Sequence, residues 1–164
     1  MSYARFGAMI LVSTIVMFGL MYLNTFALDH VFFSQTRLWM ALLMGAVMAV
    51  IMLAFMLGMY NNRTANLAIL VAAIVVFAGS LWLVRSQETV SDLDYMKAMI
   101  PHHSIAIMTS ARAHIRDPRV RELADGIIAA QVREIAQMKA LIADLEQNPV
   151  PAAAPDLPPT VPTE

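Results

Sequence analysis

The 164-residue sequence contains no cysteine, which excludes disulfides, thiolate metal sites and a cysteine nucleophile. It is also poor in charge. Only 14% of its residues are charged, where a soluble domain carries about 25%. Lys and Arg number 11 against 12 Asp and Glu, so there is no basic excess of the kind that binds nucleic acid. The third residue after Glu88, Glu122, Glu134 and Glu146 is never His, which excludes the Glu-x-x-His pairs of a di-iron carboxylate site. No Ser-His-Asp pattern, phosphate loop or carboxylate pair is present, so an enzyme is not expected. What the chain has in quantity is hydrophobic residues, at 59%, and methionine, at 14. That hydrophobic content argues against disorder over the whole chain.

The apolar content is concentrated in one half. Residues 1–85 carry only Arg5, Asp29, Arg37, Arg63 and Arg85 as charges, whereas residues 86–164 carry seven basic and eleven acidic side chains. A bilayer is the expected environment of the first half and water that of the second. A hydrocarbon core of ~30 Å needs about 20 apolar residues in a helix. Residues 6–23, 38–60 and 66–84 meet that need without a charge. Three transmembrane helices are therefore expected, the last two joined by a tight turn at Asn61–Thr64. The first run lacks the basic flank and the small-residue cleavage site of a signal peptide, so it is read as a retained span. Three spans put the two ends of the chain on opposite sides. The positive-inside count is tied, with Arg5 and Arg63 on one side and Arg37 and Arg85 on the other.

The second half predicts a helical hairpin over 91–145 and a disordered, Pro-rich tail over 146–164. Ser91 caps the first helix, with Asp94 three residues on as in a capping box. The helix is expected to run to about Ile115. Asp117-Pro118 starts the second, which is expected to end near Leu145. Two helices alone cannot enclose a core, so a homodimer or higher oligomer forming a four-helix bundle is expected. The fold class is all-α throughout.

On the first hairpin helix Met96, Met99, His102 and His103 fall on one face within about two turns. Folding the hairpin about Asp117 brings 96 level with 138, 103 with 131 and 100 with 134. Gln131, Glu134 and Met138 then answer from the second helix. Thioethers and imidazoles suit a soft or borderline ion, with Cu(I) favoured over metals that prefer oxygen. Gln131 and Glu134 suit the task of holding an imidazole N–H and fixing its tautomer. Zinc on the two His and Glu134 is the other ion this set admits. The competing reading is structural: Met at helical spacing fills cores, and adjacent His can be satisfied buried groups. The same holds for Met40, Met44, Met48, Met52 and Met56 in the second span. They recur every four residues and drift by about 160°, so they are read as filler rather than a thioether ladder through the membrane. His114, near the hairpin turn, is expected to face solvent.

The run Asp94-Tyr-Met-Lys-Ala-Met-Ile-Pro-His-His-Ser-Ile-Ala-Ile107, followed by Asp117-Pro, Leu123-Ala124, Ile127-Ile128, Gln131, Glu134-Ile135 and Met138, resembles the bacterial domain-of-unknown-function 305 family. The resemblance covers roughly residues 91–145. It implies a ferritin-like helical fold, copper binding or tolerance, and metal roles for Met96, Met99, His102, His103 and Met138. Many members place a Met seven residues after the first His; this chain has Thr109 there, so no second Met site is carried over. This chain resembles a subgroup with several spans before the domain. The expected protein is therefore a copper-binding protein anchored in a bacterial inner membrane, with its N-terminus cytoplasmic and its C-terminal domain periplasmic or extracellular. Its expected partners are the lipid bilayer, a second copy and a copper-handling protein. The alternative is a metal-free module that dimerises and assembles a membrane complex.

Overall fold

The computed structural model describes residues 2–151 and 153–160. Among these residues it is all-helical, with no strand. The α-helices are α1 (Tyr3–Leu20), α2 (Gln35–Phe55), α3 (Arg63–Ser86), α4 (Asp92–Arg112) and α5 (Pro118–Gln147), with single 3-10 turns at Leu28–His30 and Leu57–Met59. Each helix opens on a side chain that accepts a backbone N–H of its first turn: Ser2, Ser34, Asn62, Ser91 and Asp117. Such a cap satisfies one of the donors that a helix start leaves unpaired.

Helices α1, α2 and α3 are long and apolar enough to cross a membrane. α2 is the middle helix, packed on α1 on one side and α3 on the other. Its buried residues are Ala41, Gly45, Ala46, Ala49 and Leu53, and the small Ala41, Gly45 and Ala49 are spaced by four. Small residues let helix backbones approach closely where no hydrophobic effect drives them together. At Gly45 the approach is so close that a Cβ would collide with the Thr14 hydroxyl of α1. That hydroxyl donates to the Ile10 carbonyl at 2.8 Å, so it adds no unsatisfied group. Leu11, Ile15, Ile74 and Val75 are more than half exposed, an arrangement that suits a lipid surrounding.

Each end of this three-helix layer is tied by polar contacts. At the N-terminal end the Tyr3 hydroxyl donates to Asn66 Oδ1 at 2.8 Å, and Tyr60 is buried edge-on against Phe6. At the other end, residues 21–34 between α1 and α2 meet the α4–α5 hairpin. Phe26 N–H donates to Ser104 Oγ at 2.7 Å, His30 Nδ1 lies 3.0 Å from the same oxygen, and Lys139 reaches Asp29 at 2.6 Å. Three spans require the α1–α2 loop and the hairpin to share a side, and these contacts agree with that.

The core of the hairpin is Met96, Ile100, Ile107, Ile135 and Ile142, with Phe32 of the α1–α2 loop packed against it. The fold arithmetic that calls for a second copy takes no account of this loop, which supplies part of a third side from the same chain. Helix boundaries also differ from expectation. α1 begins and ends three residues early, with Ser2 as its cap. α2 stops at Phe55, and residues 56–62 form a longer connection than the expected turn. α4 ends at Arg112 because Ala113 is extended. α5 runs to Gln147, two residues into the expected tail; residues 148–151 and 153–160 form neither helix nor strand, while 152 and 161–164 lie outside the described residues.

Candidate metal centre

Two rows of side chains face each other across the hairpin. On α4 they are Asp92, Met96, Met99 and His103; on α5 they are Glu134, Met138, Leu141 and Leu145. Steps of three and four residues keep each row on one face of its helix. Together with Tyr95 and Gln137 they line an open cleft of about 440 Å³.

The register is fixed by His103, whose Nε2 lies 2.8 Å from Glu134 Oε2. With that pair aligned in antiparallel helices, Met99 stands level with Met138 and Met96 with Leu141. The imidazole is held at its other edge, Nδ1 to the Met99 carbonyl oxygen at 3.0 Å. A carbonyl oxygen only accepts, so Nδ1 carries the proton and donates. Nε2 faces Glu134, and their 2.8 Å contact needs a proton between them, which a metal ion bound at Nε2 would displace. The His103 side chain is 12% exposed and that of Glu134 44%. The ring is fixed while the carboxylate has room to swing.

The expected site residues are not all brought together. Met96, Met99, His103, Glu134 and Met138 line the cleft. His102 instead lines a second cavity on the side of α4 that faces the membrane helices, and Met99 lines both. The two imidazoles are 6.0 Å apart, centre to centre, at 63°. Gln131 lies in a shallow groove formed by α5 alone, beside Leu123 and Ile127. The expected pairing of 103 with 131 is thus off by three residues. Helical side chains lean toward the N-terminus of their own helix. In an antiparallel pair the two leans point in opposite directions, so side chains meet about two residues beyond the match of their Cα levels.

Asp92 belongs to the cleft although the sequence reading passed over it. The signal was available in its position one turn before Met96. Tyr95 and Gln137 were likewise missed. His114 is exposed, and Thr109 turns its hydroxyl back onto the Ile105 carbonyl at 3.0 Å. Among the described residues no group of three or more His, Asp or Glu is placed to hold a metal ion, so an ion in the cleft would draw on thioether sulfur.

Around the site, charges are set by local contacts. Burial holds the His30 imidazole below its usual range, with Asp29 beside it opposing and Lys139 adding to the shift. The hydrogen bond from Lys139 holds the Asp29 carboxyl low. At the hairpin turn, Arg119 does the same to Asp117.

A family model described as Domain of unknown function (DUF305) matches residues 89–160. An uncharacterized protein of Acanthamoeba polyphaga mimivirus is 32% identical over 143 residues, which span 83% of this chain and 92% of that protein. An alignment of that length extends beyond the hairpin into the membrane helices. No solved structure matches the chain. The chain therefore belongs to the domain-of-unknown-function 305 family, and joins the matched helical region to three helices long enough to span a membrane.

Proposed function

We propose that this protein binds a soft metal ion, Cu(I) foremost, in the hairpin cleft, for storage, delivery or tolerance. The observation that carries the reading is the donor set on one cleft: the thioethers of Met96, Met99 and Met138 beside His103 Nε2. Thioether and imidazole together select Cu(I) over ions that prefer oxygen. Glu134 holds the ring until an ion displaces its hydrogen bond, and the Met99 carbonyl keeps the tautomer that presents Nε2. Zinc on His102, His103 and Glu134 is disfavoured, because His102 lines the other cavity. The proposal extends to location and assembly. The three helices anchor the chain in a bacterial inner membrane, N-terminus in the cytoplasm and hairpin outside. Exposed Val120, Leu123 and Ile127 give a second copy a surface for completing a four-helix bundle, and a copper-handling protein delivers or collects the ion.

One observation favours the metal-free reading: Met96 is buried in the hairpin core and Met138 packs against it. The Met99→Leu, Met138→Leu variant separates the two. Leu conserves volume, so packing should change little. Metal binding predicts a Cu(I) affinity at least tenfold weaker, by chelator competition on the full chain in detergent, with thermal unfolding nearly unchanged. A module without metal predicts no specific binding in either protein, and that result overturns the reading.

A further inference from the structure

The adjacent imidazoles point into different cavities, and the second cavity has the same donor set as the first. It has a volume of about 380 Å³ and lies where the end of α1, the start of α2 and α4 converge. Its walls include His102, Met99, Met21 and Met40, which are again three thioethers and one imidazole. Met99 is common to both cavities. We propose that this junction is a second soft-metal site, formed between the hairpin and the membrane helices, for a monovalent ion such as Cu(I) or Ag(I).

The chemistry of the walls selects the charge of the ion. No Asp or Glu lines the cavity, and Arg37 does. A hard divalent cation finds no anionic oxygen there and one positive neighbour. A monovalent soft ion gains its binding from neutral sulfur and nitrogen donors. Arg37 itself is engaged at the wall, donating to the Met21 carbonyl and stacking on Tyr22 with its guanidinium carbon 4.5 Å from the ring centre. Its charge is thus directed onto a carbonyl and a π face. The His102 ring makes no hydrogen bond among the described residues, unlike His103, whose two nitrogens are both engaged. Methionine side chains are unbranched and adaptable, which lets Met21 and Met40 close on an ion in a cavity of this size. Met99, at the shared wall, can donate to an ion in either cavity. Met40 stands at the head of the α2 methionine row, so the junction site is where that row meets the hairpin.

The proposal rests on the soft-metal reading of the hairpin cleft, and two variants keep the two claims apart. The full chain in detergent is loaded with Ag(I) and read by native mass spectrometry, alongside ¹⁵N-histidine spectra. Wild type should hold two ions per chain. Met21→Leu with Met40→Leu should lose one ion and leave His102 unshifted, while the His103 signal still moves. His103→Ala with Met138→Leu should lose the other ion and keep the His102 shift. Two ions retained by the Met21→Leu, Met40→Leu variant, or a single ion in wild type that never shifts His102, overturns the junction site and leaves the cleft standing. No ion bound by any of the proteins overturns both.

Discussion

The membrane layer and the hairpin solve the same packing problem with opposite residues. In the membrane layer the buried face of α2 is mostly small, Ala41, Gly45, Ala46 and Ala49, with Phe6, Leu53 and Tyr60 clustered toward one end and most other large side chains facing outward. Between α4 and α5 the contact is built from Ile100, Ile107, Ile135 and Ile142, and charges face outward. In water, burying large apolar side chains is the driving force. In lipid, that force is absent and close backbone approach replaces it. The chain thus carries two inverted patterns, and the candidate donor rows lie within the hairpin.

The largest effect expected from breaking this contrast is on the hairpin side. Ile100 is fully buried, and Ile100→Ala should cost about 2–5 kcal/mol, read as a lowered midpoint in denaturant unfolding followed by helix content. The mirror experiment puts a large residue into the membrane contact. Gly45→Leu drives a side chain into Thr14 and should cost roughly 1–3 kcal/mol, seen as faster loss of α1–α2 cross-linking on heating in detergent. The equivalent Leu at Gly7 or Gly79, where a Cβ meets nothing, should be tolerated. Ser91→Ala removes the cap that receives Asp94 N–H at 3.2 Å and should cost about 1 kcal/mol, measured by hydrogen exchange in the first turn of α4.

The smallest expected effect concerns the latch between the two regions. Burial lowers the His30 pKa in the docked state, so the undocked state binds protons more readily. Docking is therefore at full strength above the ordinary histidine value of about 6.5 and weakens as pH falls below it toward the lowered value. With the intrinsic pH dependence of amide exchange divided out, the protection of amides 26–34 should be lower at pH 5.5 than at 7.5, and His30→Gln should flatten the difference. An unchanged difference in that variant would assign the effect to another group.

Much of this architecture is legible in the sequence because it depends on local signals. Charge-free runs of sufficient length mark α1 to α3, Ser91 and Asp117-Pro118 mark the starts of α4 and α5, and the spacing of 96, 99 and 103 marks one face. What is not legible depends on direction and distance in three dimensions. His102 and His103 are neighbours in sequence and 100° apart on a helix, so which of them faces α5 is decided by the hairpin register. The lean of side chains, which Cα matching omits, accounts for about two of the three residues by which Gln131 misses the cleft. The packing of Phe32, His30 and Asp29 against the hairpin had no sequence signal at all. It joins residues more than 70 positions apart through a loop with no periodicity.

The proposed site holds its ion through methionine sulfur. Copper K-edge X-ray absorption on the full chain loaded with one equivalent of Cu(I) tests it most directly. Sulfur and imidazole nitrogen scatterers bonded to copper are expected, with sulfur reduced in the Met99→Leu, Met138→Leu variant. A shell of nitrogen and oxygen alone, unchanged in that variant, would contradict it.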